Sequence, residues 1–472
     1  MPAPRSLEAH RDPMPGDNDP LGIRSLLTGL NLLRSPLAFL REVREQHGVL
    51  SAVPARRPRT VFALGPEQAR QVLTRQEFHS DSFRHLRLPP GSPMMLLTSG
   101  LLRLNGAVHR RHRQAMQTSF SPRHVRVYTG TIVTMADEMI RDWQPGEAID
   151  LHKEFATLVT RVSLSTMAGL DDRAKAGRLH DAMAALAKAA SHPLTSLVQK
   201  PLPGTPFRRM SKLADEVEQT LRDLVKARQD QLAAPDLLGM LSSRDENAAD
   251  SLSESEIIGE AYTALCHDSV ASALFWTLVL LDQHREWRAR LVKEIARTAG
   301  TVAPAPELFD DMPVLDFVVK ESLRLIPPAS FAIRYATEGA SIDGHRIPAG
   351  AMVVVSAFVT HREKDSFPDP LRFDPGRWQN NRPAQHIYFP FGLGTHSCIG
   401  RSLALLEIKV VLTRILQQAP LALAGDTVID PVVRISTVPA EPVQALVLSP
   451  GAAVPPRHTV TGSLTDVIDL PA

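Results

Sequence analysis

Phe391-Gly392-Leu393-Gly394-Thr395-His396-Ser397-Cys398-Ile399-Gly400 places one thiol in a glycine-rich loop, and a helical pattern opens directly behind it. A thiolate is a good ligand for soft metals. A helix N-terminus just past the sulfur favours its negative charge. Gly392, Gly394 and Gly400 carry no Cβ, so the backbone is expected to bend sharply there and to approach a flat cofactor closely. Phe391 is expected to pack beside the sulfur and limit water, and His396 to donate to an anionic group. A lone cysteine is more often a small buried hydrophobe than a ligand. The complete Phe-Gly-x-Gly-x-His-x-Cys-x-Gly pattern, followed by Leu403-Ala404 and Glu407, favours the ligand here.

Together these residues resemble the haem-thiolate loop of the cytochrome P-450 family. The resemblance extends from about Pro36 to Pro450, with its motifs in the family's order. It implies a mainly α fold with a smaller β-rich region (α+β), the cofactor lying between a long central helix and the cysteine loop. The implied cofactor is haem b (heme b, iron protoporphyrin IX). Cys398 is the implied axial metal ligand, and Phe391, Gly392, His396 and Gly400 are further cofactor contacts.

Composition narrows the alternatives. The chain has 472 residues, 43% hydrophobic and 22% charged, which is ordinary for a globular protein. Cys266 and Cys398 are its two cysteines. That excludes a disulfide framework and any multi-cysteine metal site, and it fits a reducing, cytoplasmic setting. The net charge of +2 makes no case for nucleic acid. The first 30 residues hold no apolar run long enough to span a bilayer. A soluble, bacterial-type member without a membrane anchor is therefore expected, with a monomer as the default. Residues 1–20 read as a flexible tail, 21–450 as one domain and 451–472 as a second tail.

Helical patterning is expected from Pro36-Leu37 to Gln46, and over Pro66 to Leu73 with proline in the first turn. Short strands are expected at Leu50 to Val53 and Thr60 to Ala63. Between Phe78 and Gly106 the pattern breaks around the apolar cluster Met94-Met95-Leu96-Leu97. Further helices are read at Leu213 to Gln231, Pro235 to Leu241 and Leu403 to Gln418. Ser253 to Asp282 reads as one long buried helix, with Ser253 and Glu256 as a capping box. The four-proline break from Pro193 to Pro206 matches the family's lid over its access channel.

Glu321-Ser322-Leu323-Arg324 is a second signature, because residues three apart share a helix face. In the family an arginine at the position of Arg377 joins that pair, and the network supports the cysteine loop. Glu321, Arg324 and Arg377 are thus structural. Haem propionates need cationic partners, and the resemblance supplies His109, Arg113, Arg334 and His396. Arg110 and Arg111 read as a surface basic run. In the family that surface docks the electron donor, a ferredoxin or flavodoxin served by its reductase.

The oxygen-activating segment departs from the family pattern. Leu265-Cys266-His267-Asp268-Ser269 stands where Ala-Gly-x-(Asp/Glu)-Thr is usual. Asp268 and Ser269 are the expected proton relay, since a hydroxyl beside a carboxylate can pass protons. Cys266 reads as a small core residue. By position, Met94, Met95, Leu97, Leu265, Ser330, Phe331, Ala332, Thr437 and Val438 are substrate-pocket candidates, with Ser436 beside them. They suit a hydrophobic small molecule such as a lipid, terpenoid or polyketide. The implied reaction is insertion of one atom of O2 into a C–H or C=C bond. The altered segment motivates one alternative, a peroxygenase, isomerase or dehydratase; a non-catalytic haem-based ligand sensor is a second, from another class.

Overall fold

A computed structural model describes residues 35–53, 60–84, 86–229, 236–242, 251–265 and 268–471. The 1–20 segment and Cys266 lie outside the described residues.

The helix Asp268–Gln283 organises the fold. It is apolar on every face, and every side chain from Val270 to Gln283 is buried. A helix with no polar face must be surrounded. Leu151–Ala168, Pro313–Leu325 and Arg401–Gln418 pack against it. Glu254–Leu265 precedes it, so the expected long helix is described as two segments. The stretch Glu254–Gln283 contains an 18-residue window apolar enough to cross a membrane, but 88% of that window is buried within the protein. The capping box forms as expected: the Ser253 N–H donates to Glu256 Oε2 at 2.9 Å, and the Glu256 N–H to Ser253 Oγ at 3.4 Å.

The β-rich region is a five-stranded mixed sheet ordered Leu50–Val53, Thr60–Ala63, Met352–Val355, Ala332–Ala336, Phe78–His79. Thr60–Ala63 runs parallel to Met352–Val355, and the other pairs are antiparallel. Arg334 lies opposite Val353 in this sheet. The helix Arg173–Ala190 packs on Pro206–Gln229, and the turn between them includes the short helix Pro193–Leu197.

The C-terminal expectation needs correction. Residues from Val460 onward form no free tail. Val460–Thr461 pairs with Thr427–Val428, and a 3-10 turn, Ser463–Asp466, follows. Leu464, Val467 and Ile468 are buried. The Arg362 guanidinium donates to the Val467 carbonyl at 2.9 Å, and the Asp469 N–H to the Leu371 carbonyl at 2.9 Å. Burying three such side chains contributes roughly 5–9 kcal/mol as an upper estimate. That is a large part of a typical ~5–15 kcal/mol domain stability. Truncation after Pro456 should therefore lower the melting temperature sharply or leave the protein insoluble. An unchanged melting curve would contradict the packing seen here.

Candidate functional site

The cysteine loop is shaped by its own backbone. The Cys398 N–H donates to the Phe391 carbonyl at 2.8 Å, the Gly392 N–H to Phe389 at 2.9 Å and the Ser397 N–H to Gly394 at 3.1 Å. Gly392 and Gly394 have φ of +72° and +69°, a region that glycine enters without steric cost. A Cβ at Gly394 would collide with the Leu73 carbonyl oxygen and lie 3.1 Å from Thr74 Cα. At this glycine the backbone approaches the helix Pro66–Thr74 closely. Gly400, with φ of −81°, needs no glycine conformation. Gly392 remains the open position, where a Cβ would meet nothing nearer than 3.8 Å.

Cys398 is accessible, yet protein encloses it closely enough that burial dominates its ionisation. Burial pushes its pKa up, opposed by the Gly400 N–H and by Arg113 and Arg401. The helix Arg401–Gln418 starts just beyond it, as expected. Its N-terminus does not by itself give a thiolate; a coordinated cation would complete the deprotonation.

Beside the loop, four basic side chains converge. His109 and Arg113 come from the helix Gly106–Gln117, Arg334 from its strand and His396 from the loop. The His109 and His396 rings lie 4.1 Å apart. Burial, then neighbouring cations, lowers their pKa values to about 4 and about 3. Arg334 is buried and its pKa falls to about 10 through burial alone. Its Nε has no partner among the described residues. Arg113 donates to the Ser397 carbonyl at 2.8 Å and to Ser397 Oγ at 3.3 Å, so it also clamps the loop. The largest charge effects on the four groups come from one another and from His79, Arg110, His112 and Cys398, and no carboxylate is among these largest effects. A buried guanidinium with an unpaired nitrogen, in a cluster without a counter-ion, fits an anionic group. Together with the accessible thiol, the residues fit a haem with its propionates.

Arg111 corrects the reading of a surface basic run. It donates to the Ser251 carbonyl at 2.7 Å and pairs with Glu256. Next to it the buried His112 Nδ1 meets Oε1 of the buried Glu260 at 2.7 Å. This pair of contacts ties two helices together. Arg110 is exposed as expected.

The structural network is present and longer than expected. Glu321 is fully buried and accepts from Arg324 Nε and Nη2, Arg377 Nε and Trp378 Nε1, all at 2.9 Å, and from the Asp374 N–H at 3.0 Å. Arg324 donates on to the His361 carbonyl at 3.0 Å. His361 Nε2 accepts from the Phe389 N–H at 2.9 Å, and the Phe389 carbonyl holds Gly392. Burial and two arginines push the His361 pKa down to about 3, which keeps that nitrogen an acceptor. A hydrogen-bonded chain therefore runs from Glu321 to the cysteine loop. Sequence reasoning missed His361, Trp378 and Tyr388; Tyr388 Oη donates to the Lys320 carbonyl at 3.0 Å.

On the opposite side, Ser269 is exposed at the start of a helix that is otherwise buried. Asp268 Oδ2 accepts from Ser436 Oγ at 3.1 Å. The hydroxyls of Ser330 and Thr437 lie 2.5 Å apart, and both are buried. The Thr437 carbonyl accepts from Ser272 Oγ and Trp276 Nε1, each at 2.6 Å. Thr437 thereby fastens the hairpin of Pro431–Val433 and Thr437–Pro439 to the central helix, and Ser330 bonds to it. Met94, Leu97, Leu265 and Val438 are buried, whereas Met95, Phe331 and Ala332 are half-buried. Ala329, missed in the sequence, is exposed between buried Pro328 and Ser330. Gly100 and Gly259 let the segment after Met94–Leu97 lie directly on the helix Glu254–Leu265. A Cβ on Gly100 would stand 2.7 Å from the Gly259 carbonyl oxygen.

The family model described as Cytochrome P450 matches residues 17–444. Cyclooctat-9-en-7-ol 5-monooxygenase of Streptomyces melanosporofaciens is 30% identical over 401 residues, covering 81% of this chain and 84% of that protein. Pentalenene oxygenase of Streptomyces avermitilis is 28% identical over 417 residues, covering 85% and 90%. The solved structure of retinoic acid bound cyanobacterial CYP120A1 is similar with a TM-score of 0.77 and 25% identity, covering 89% of this chain and 96% of that one.

Proposed function

Because the chain belongs to the cytochrome P450 family and is a cytochrome P450 monooxygenase, we propose that it inserts one oxygen atom from O2 into a terpenoid-like hydrocarbon skeleton. Electrons would come one at a time from a separate ferredoxin or flavodoxin and its reductase, in a cytoplasmic setting. The observation that carries this reading is the accessible Cys398 beside a buried cationic cluster with an unpaired Arg334 nitrogen. Cys398 and the side chains of His109, Arg113, Arg334 and His396 would hold haem b, which would supply the activation of dioxygen.

This chain's own residues do the rest. The Arg113 clamp and the chain through His361 hold Cys398 in place. Ser436 orients the Asp268 carboxylate. The adjacent Ser269, which is exposed, would hand on the proton. Serine lacks the β-branch of threonine and is held less firmly. The half-buried Met95, Phe331 and Ala332 offer apolar surface, and the hydroxyls of Ser330 and Thr437 are turned to each other. Both facts favour a substrate with few polar groups, in keeping with the two Streptomyces relatives, named for cyclooctat-9-en-7-ol and pentalenene. Exposed Arg110, one helical turn from Arg113, suits an acidic electron donor.

Turnover of a terpenoid panel with a surrogate ferredoxin system and isotopically labelled O2 tests the reading. One labelled atom should appear per product; absence of label, or equal turnover with peroxide alone, would overturn it. Ser269→Ala should lower product formed per O2 consumed by on the order of a hundredfold while leaving substrate binding intact. Unchanged coupling would remove Ser269 from the relay.

A further inference from the structure

A groove of about 610 Å³ lies between the helices Arg173–Ala190 and Pro206–Gln229. Small side chains leave it room: Ala185 and Ala189 line it from the first helix and Gly204 from the connection. Long cations surround that space. Lys188 lines it from the first helix, and Arg208, Arg209 and Lys212 from the second. Glu216 is the one carboxylate in the lining. Four cations against one carboxylate leave a formal excess of three positive charges, in a chain whose total is only +2.

These cations are not used within the protein. Among the described residues, none of the four makes a side-chain ion pair. Lys212 and Glu216 stand one helical turn apart, a spacing at which such side chains commonly pair, yet no ion pair joins them either. Like charges gathered around one hollow repel one another, and an anion between them removes that cost. His192 also lines the groove and adds a donor. Its Nδ1 accepts the Leu194 N–H at 3.2 Å, which leaves the ring hydrogen on Nε2. The arginine side of the groove is firmly placed: Thr205 Oγ1 donates to the Leu202 carbonyl at 2.7 Å and accepts the Arg208 N–H at 3.3 Å.

We propose that this groove binds a small organic diphosphate, its phosphates held between Lys188 and the Arg209–Lys212 turn and its organic part against Ala185, Ala189 and Leu213. A phosphomonoester carries about two negative charges at neutral pH, so a diphosphate ester carries about three, which matches the excess. A guanidinium fork fits phosphate oxygens two at a time. The volume lies within the roughly 300–1,000 Å³ of small-molecule sites. The apolar floor favours an alkyl or alkenyl ester over a sugar or a nucleoside. A ligand seated there would bridge the two helices. None of the lining residues belongs to the haem or substrate candidates, so the site stands apart from the oxidation chemistry.

The test is isothermal titration calorimetry of the haem-loaded full chain with inorganic pyrophosphate, inorganic phosphate and geranyl diphosphate. Pyrophosphate should bind once per chain, more tightly than phosphate, and weaken as salt rises. Geranyl diphosphate should bind more tightly still, by about fourfold for each methylene it buries. Lys188→Ala with Lys212→Ala should lower affinity at least about tenfold for each cation removed, whereas Glu216→Gln should raise it. Both variants should keep the wild-type carbon monoxide spectrum. No pyrophosphate binding at low salt would overturn the proposal, as would binding that survives the double lysine change. So would a Soret shift that tracks geranyl diphosphate binding, which would place the ligand over the haem. Binding to phosphatidylglycerol vesicles without binding to pyrophosphate would overturn it in favour of a lipid headgroup.

Discussion

Cys398→Ala folds but loses the haem-thiolate spectrum and all O2-dependent turnover. The fold should survive because the Cys398 contact that shapes the loop is its N–H to the Phe391 carbonyl, which alanine keeps. A change confined to one accessible sulfur should shift stability of the haem-free chain by less than ~1 kcal/mol. The cofactor, in contrast, loses the only ligand the loop offers. The basic cluster of His109, Arg113, Arg334 and His396 stays, so weakened haem binding without a thiolate signature is the expected state. Burial raises the Cys398 pKa, so the haem-free wild type should be alkylated slowly near neutral pH, faster as pH rises, and less readily once haem is bound. A thiolate spectrum in Cys398→Ala would place the ligand elsewhere.

Glu321→Gln should be the most damaging change away from the sulfur. Its carboxylate is fully buried and receives two guanidinium groups, an indole N–H and a backbone N–H. Without its charge, Arg324 and Arg377 remain buried with no counter-ion beside them. Breaking such a pair costs roughly 3–5 kcal/mol. The loss reaches the active site along the path from Arg324 through His361 and Phe389 to Gly392. The variant should melt at a clearly lower temperature and retain little haem after gel filtration. Retention of both haem and melting temperature would show that the network does not support the loop.

Much of this was legible because it is local. The short strands Leu50–Val53 and Thr60–Ala63 have the boundaries expected of them. Pro66 at the first helical position and the Ser253–Glu256 box announced helix starts. Glu321 and Arg324 are three residues apart, so their pairing needed no tertiary information. The links through His361, Trp378 and Tyr388 join residues distant in sequence, and no spacing announces them. The close approach of Gly394 to the Leu73 carbonyl joins residues over three hundred positions apart, which no spacing in the sequence signals. The proline-rich run before His458 hid the ordered C-terminal segment. The apolar positions 464, 467 and 468 in fact follow a one-turn spacing that signals a buried face.

The most direct measurement is the absorbance difference spectrum of the reduced protein with carbon monoxide. The site described here predicts a strongly red-shifted Soret band, the signature of an intact cysteine thiolate on haem iron. A band typical of histidine or protonated-thiol ligation would contradict it, as would no haem spectrum after haem-supplemented expression.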